Sequence, residues 1–203
     1  TNKNKENFNA IISELHKYIG MTFHRFIGFG GGINIFISTL EGFSDPIKVK
    51  AWDPYLMEKS QQLPNEMIDN DLVTITPFLL PYHTKISQKE QIRLEGIFGQ
   101  LNHQGFYVYR NKRLIIPGTW FRFFAKHNQY NTVRIRIDLP NNRDHEWMLD
   151  ISKSEVTPPA LVLPKLKAIA RNVTAKAKET LAFKGRARAR KAKYSKDAYI
   201  WQL

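Results

Sequence analysis

Lys153 stands in the run DHEWMLDISKSEVTPP, Asp144 to Pro159, behind strand-like residues and ahead of two prolines and a long helical stretch. A compact ammonium held at a seam between rigid elements can serve as a point charge for a phosphate that the rest of the chain does not bind. The plainer reading is a solvated surface lysine. A second set of cations lies in FKGRARARKAKYSK, with Lys184, Arg186, Arg188, Arg190, Lys191 and Lys193 and no acidic residue between Lys184 and Lys196. Each phosphate that such residues neutralise adds salt-dependent affinity, so this stretch suits nucleic acid. A solvated helix end is its alternative. Tyr194, Tyr199 and Trp201 could stack on bases or simply begin another element.

Other chemistries find less. GFGGG, Gly28 to Gly32, invites a phosphate-loop reading, but the position where a dinucleotide fingerprint needs its last glycine is Ile33, and a strand-like run follows instead of a helix. A flexible turn fits better. His16, His24, His83, His103, His127 and His145 show neither HxxxH nor HExxH spacing, which leaves them as core or surface histidines. There is no GxSxG elbow and no carboxylate pair in a recognisable setting.

The 203 residues can bury one substantial core, and the absence of cysteine excludes disulfides and thiolate metal sites and favours a reducing, cytoplasmic setting. No apolar run reaches the roughly 18 residues of a membrane span, so no membrane partner is expected. The formal charge of +13 is concentrated: residues 161–203 carry twelve of the 31 Lys and Arg and two of the 18 Asp and Glu. The tail is basic and the remainder is ordinary. A first residue other than methionine suggests a piece of a longer protein.

These groups need elements to hold them. Phe8, Ile11, Ile12, Leu15, Ile19 and Phe23 repeat at helical spacing and predict a helix with one buried face. INIFIST and DPIKVK predict strands, with a turn at Asp53-Pro54, and residues 57–71 read as a polar loop. LVTITPFLLP predicts a strand that Pro77 should push to an edge or an end. Ser87 and Glu90 form a capping-box pattern ahead of a short helix. GFYVYRNKRLIIPG predicts a hairpin turned at Asn111-Lys112. VRIRIDL alternates Val133, Ile135 and Ile137 with Arg134, Arg136 and Asp138, one apolar face and one wet one, and EWMLDIS predicts another strand. From Leu161 to Leu181 a helix is expected, striped by Leu166, Ile169, Ala170, Val173, Ala177 and Leu181, with an exposed or frayed basic stretch behind it. The order predicts an α+β fold, a mixed sheet packed by helices on one face, with residues 1–158 as the α+β domain and 159–203 as helix and tail.

The segments QGFYVYRNKRLIIPGTW, DHEWMLDISKSEVTPP, HKYIGMTFHRFI, AWDPYL and LPYHTKIS together resemble the region after the nucleotide-binding domain in bacterial GHKL-type, histidine kinase-like ATPases. Relatives of that superfamily include gyrase B subunits, MutL-type mismatch-repair proteins and the large heat-shock chaperones. The resemblance covers most of the chain. It implies a transducer domain, a mixed sheet with helices on one face and a left-handed βαβ crossover, from whose loop a basic residue touches the terminal phosphate of ATP. On that implication Lys153 is the phosphate-sensing residue and Lys85, in HTKIS, the second candidate. The superfamily's Asn- and Glu-bearing helix, DxGxG loop and glycine lid are not in this sequence. ATP and magnesium are therefore expected to be bound by a separate N-terminal domain and not by this chain alone, with a homodimer as a further partner class. The readings to test are a transducer domain that couples nucleotide state to domain or dimer movement, a nucleic-acid-binding module acting through the basic tail, and, last, an autonomous enzyme.

Overall fold

A computed structural model of the chain describes residues 2–27, 32–38, 46–70 and 72–197. The elements are helices α1 (Asn2–Thr22) and α2 (His24–Ile27), strands β1 (Phe36–Ile37), β2 (Ile47–Lys48), β3 (Gln61–Gln62), β4 (Glu66–Ile68) and β5 (Val73–Leu79), helix α3 (Gln88–Glu95), strands β6 (Gly105–Arg110), β7 (Arg113–Thr119) and β8 (Val133–Leu139), and helix α4 (Leu163–Asp197). The fold is α+β. β1 and β2 form a small antiparallel ribbon, and the main sheet runs β3-β5-β8-β6-β7 with β4 also paired to β5. β8 is antiparallel to β5 and parallel to β6, so the sheet is mixed.

Several elements follow from local chemistry. Ser87 and Glu90 close the expected capping box on α3, side chain to backbone in both directions. Asn111 and Lys112 both take positive φ, 44° and 71°, as a two-residue turn matched to strand twist requires. The carboxylate of Asp53 accepts from the N–H groups of Tyr55 and Met57 and fixes the turn at Asp53-Pro54.

Other elements depart from the sequence's suggestion. Residues 57–71 are not simply loop, because β3 and β4 lie there and flank β5. Pro77 thus sits inside the sheet. Its carbonyl accepts from Leu63 N at the break between β3 and β4, so the missing N–H points at the one place on that side where no strand asks for it. EWMLDIS forms turns in place of a strand; only an isolated antiparallel bridge, Asp150 to Glu155, is made. The parallel neighbours β6 and β8 are joined through β7 and residues 120–132, whose regular structure is a 3-10 turn at Asn128–Tyr130. No α-helix crosses between them, so the βαβ unit implied by the resemblance is not formed by the described residues. Gln104, fully buried, organises this connection by accepting from Trp120 Nε1 and His127 N while donating to Leu101 O and Asn131 Oδ1.

Both faces of the sheet are covered, which corrects the expectation of helices on one face. Phe106, Val108, Val133, Ile135 and Ile137 point to α4, whose Leu166, Ile169, Ala170, Val173 and Ala177 share their core. Five residues of the predicted stripe are thereby buried as expected. The opposite face carries Phe78, Tyr107 and Tyr109 under Met21, Tyr55 and Trp52. The period-2 alternation is right, but the face read as wet lies beneath the segment that runs from α1 to Tyr55. Arg134 is fully buried there. α1 reverses expectation in the other direction, since Phe8, Ile11 and Leu15 are exposed. α4 is also longer than its apolar stripe, with a helical backbone to Asp197.

Candidate functional site

Lys153 lies on a short loop with firm local support. Asp150 Oδ1 accepts from the N–H groups of Ser152 and Lys153 at 2.9 and 3.1 Å and from the Ser152 hydroxyl at 2.6 Å. These bonds, with Lys153 beside it, hold the Asp150 carboxyl below the usual carboxylate range. Backbone bonds in both directions between Asp150 and Glu155 close the loop, and Ser154 takes φ 53° at its tip. The Lys153 ammonium is 3.7 Å from Asp150 Oδ2, yet its side chain is 70% exposed. That is a local surface pair, open to competition from an incoming anion. The loop is anchored behind by Trp147, which is fully buried, donates its indole N–H to Asp69 Oδ2 at 3.3 Å and accepts from Thr157 N through its carbonyl.

The second lysine is elsewhere. Lys85 ends a 3-10 turn beyond the last residue of β5, whereas the Lys153 loop hangs from Asp69, ahead of the first residue of that strand. The two therefore stand at opposite ends of the sheet, about 20 Å apart along a seven-residue strand. One phosphate cannot take both. At the Lys153 end a shallow cleft of about 530 Å3 is bounded by Arg25, Leu72, Lys112, Asp138 and Pro140. Arg25 is paired there with Asp138, and Lys112 has no ion-pair partner among the described residues. Gly28 to Gly31 of the glycine cluster lie outside the described residues. So do the side chains of Lys184, Arg186, Arg188, Arg190, Lys191 and Lys193, although their backbone is helical.

Beneath the end of α1 the structure assembles a buried polar cluster that the sequence reading did not single out. Tyr55 donates to the Tyr109 hydroxyl at 2.8 Å, Tyr109 to His24 Nε2 at 3.2 Å, and His24 Nδ1–H to Met21 O at 2.7 Å. This direction of donation assigns the His24 tautomer. Burial, with Arg25 and Arg136 nearby, lowers the His24 pKa to about 4. Burial and then Arg134 and Lys126 do the same for His103, also to about 4; its Nδ1 is 3.3 Å from the Tyr107 hydroxyl. Burial pushes Tyr107 up to about 12 and raises Tyr55 and Tyr109 as well.

The arginines are layered on these rings. Arg25 stacks over Tyr109, Arg134 over Tyr107 and Arg136 over Phe78, at 4.9, 5.8 and 5.5 Å from the ring centres. Arg25 and Arg136 converge on Asp138, though Arg136 Nε, 2.9 Å from Oδ2, is misaligned for a hydrogen bond. Arg134 donates through Nη1 to the carbonyls of Asn131 and Val133, leaving Nε and Nη2 unpartnered. At neutral pH the histidines are uncharged and the tyrosines protonated, so the cluster offers no ready base or nucleophile. What it does is lock α2 to β6 and β8. The signal for it was present in the alternation: Tyr107 and Tyr109 share a face opposite Phe106 and Val108, as Arg134 and Arg136 do opposite Ile135 and Ile137.

No helix among the described residues is long and apolar enough to cross a membrane. No family model matches the chain, and no curated protein or solved structure gives a match to it.

Proposed function

We propose that this chain does the work of a transducer domain in a GHKL-like ATPase, although without the βαβ crossover of that domain type, and that Lys153 is its phosphate-sensing residue. The observation that carries the reading is the Asp150–Glu155 loop, wired by its own backbone and anchored through Trp147, with an exposed ammonium at its tip. Such a group can be aimed at a phosphate held by a neighbouring domain without first being freed from a buried ion pair. The buried Tyr–His–Arg cluster supports the mechanical half of the reading. It ties the α1–α2 segment to the same sheet that α4 packs from behind, so displacement at the Lys153 end can pass to both helices as a rigid-body shift. ATP, magnesium and the base that orients the attacking water would be held by the ATP-binding domain, and Lys153 would offset charge on the terminal phosphate. Lys85, beyond the other end of β5, stays the second candidate for the same role.

In the ATPase that includes these residues, Lys153→Ala is expected to lower ATP turnover at least about tenfold, with Lys153→Arg retaining part of it, as loss of one preorganised charge contact would do. Because the side chain is exposed, the thermal midpoint should not move. Equal turnover by Lys153→Ala and the parent would remove Lys153 from this role.

A second reading, nucleic-acid binding, is favoured by the length of α4. Among the described side chains the last buried one is Ala177, and the backbone stays helical to Asp197, which is about 30 Å farther along the axis. This length carries Lys184, Arg186, Arg188, Arg190, Lys191 and Lys193. Duplex DNA binding should then fall steeply with salt, and truncation after Phe183 should weaken it at least about tenfold at low salt. Binding that survives truncation would clear the tail of the role, and no binding at low salt would end the reading.

A further inference from the structure

β5 ends and β8 begins at the same end of the sheet, with Leu79 paired to Val133, and the segments that meet there enclose a cavity of about 440 Å3. That volume is in the range of small-molecule sites. Leu80 and Leu94, both buried, make its apolar part. Gln91, Gln100 and Gln129 bring amides to its wall, together with the ring of His83, which packs 4.0 Å from the ring of Tyr82, centre to centre. No Asp, Glu, Lys or Arg lines the space. Gln91 Nε2 donates to the carbonyls of His83 and Ile86 at 2.9 and 3.4 Å, which fixes the side chain, while its Oε1 accepts from no described residue. The side-chain amides of Gln100 and Gln129 make no hydrogen bond to a described residue.

A charged ligand would meet no countercharge inside this cavity, and a purely apolar one would strand the amides. The chemistry that remains is a neutral planar ring with donors and acceptors along its edge, which describes a nucleobase. Amides pair with such an edge, and an imidazole ring stacks on its face. The cations stand outside. Each of three 3-10 turns around the cavity holds a lysine. Lys85 ends the turn His83–Lys85, which supplies His83. Lys126 Nζ donates to Asn102 Oδ1 at 2.9 Å, on the turn Gln100–Asn102 that supplies Gln100. The Lys178 ammonium lies 5.4 Å from the centre of the Tyr130 ring, on the turn Asn128–Tyr130 that supplies Gln129.

α4 extends this charge outward. It starts where Lys165 Nζ donates to Met67 O, beside the first residues of β5, and at Lys178 it has reached the opposite end of the sheet. The helical backbone from there to Asp197, which carries Lys184, Arg186, Arg188, Arg190, Lys191 and Lys193, therefore leaves the body at the end that holds the cavity. We propose that the cavity receives one unpaired base of a single-stranded nucleic acid, whose phosphates pass the three lysines and continue along α4. This deepens the nucleic-acid reading and rests on it. A basic helix alone answers to phosphate charge, whereas a cavity of this chemistry answers to a free base.

Fluorescence anisotropy at low salt compares a labelled single-stranded DNA of about 12 nucleotides with the same strand built from a stable abasic analogue. The two strands carry equal charge, so the salt-dependent contribution cancels between them. The full chain is expected to bind the strand with bases at least about fivefold tighter, the low end for one base stacked on a ring. The double variant His83→Ala, Gln129→Ala, both exposed residues, should bring the two affinities together and leave that for the abasic strand unchanged. Truncation after Phe183 should weaken both strands by one factor and keep their ratio. Equal binding of the two strands by the parent, or a preference for bases that survives in the double variant, would overturn the base site and leave the tail's role standing. Binding of neither strand at low salt would end both.

Discussion

Between pH 7 and pH 4.5 the chain is expected to lose about 5 kcal/mol of folding stability, enough to unfold a domain of ordinary stability. The source is His24 and His103, whose folded pKa values are each about 4 against an ordinary 6.5. The folded state refuses the proton that the unfolded chain accepts. This histidine contribution is thus full above pH 6.5, falls as pH drops through the window from 6.5 to 4, and levels off below that. Geometry supports the sign. His24 Nε2 accepts from Tyr109, so a proton there would reverse the Tyr55–Tyr109–His24 chain with Arg25 and Arg136 close by. His103 faces Tyr107, Trp52 and the charges of Arg134 and Lys126. Urea titrations at the two pH values measure the loss, and the double variant His24→Gln, His103→Gln should flatten it. A parent whose stability changes by less than about 1 kcal/mol over that range would show that neither histidine is buried uncharged.

Trp147→Ala is expected to cost about 3–5 kcal/mol, as removal of a fully buried tryptophan does where the surroundings cannot collapse into the space. The indole stands in the core beside α4 and its N–H meets Asp69, so the substitution both opens a cavity and leaves the Asp69 carboxylate to Arg143 alone. Because Trp147 also ties the Lys153 loop to the turn ahead of β5, limited proteolysis between Asp150 and Glu155 should accelerate. Trp147→Phe restores most of the volume but not the donor and should fall between parent and alanine variant. An alanine variant within about 1 kcal/mol of the parent would mean that Trp147 does not close this core.

The two expectations differ in how far the sequence foretold them. WMLDIS reads as a strand because its residue types favour extended backbone, but β8, the strand it follows, already has β5 on one side and β6 on the other and cannot pair with it. It turns back on itself instead and leaves Lys153 at a loop tip. VRIRIDL shows its two faces plainly, yet nothing in those seven residues tells whether water or another segment covers the arginine side. That depended on the residues from Met21 to Tyr55, which lie some eighty or more positions away in the chain. α1 shows the converse case: its helical stripe predicts a buried face, yet Phe8, Ile11 and Leu15 are exposed.

By itself the sequence determined the features that close within a few residues. These are the capping box of Ser87 and Glu90, the Asn111-Lys112 turn, the Asp53 turn, the inward stripe of α4 and the concentration of positive charge behind it. Hydrogen bonds and dihedral preferences of near neighbours suffice for those. Only the tertiary structure decided which strand sits between which, that Arg134 and two histidines are buried, that Pro77 fits an interior strand, and that Lys153 and Lys85 stand at opposite ends of the sheet. Such outcomes rest on pairing and desolvation between segments far apart in the chain, whose free energies no local pattern contains.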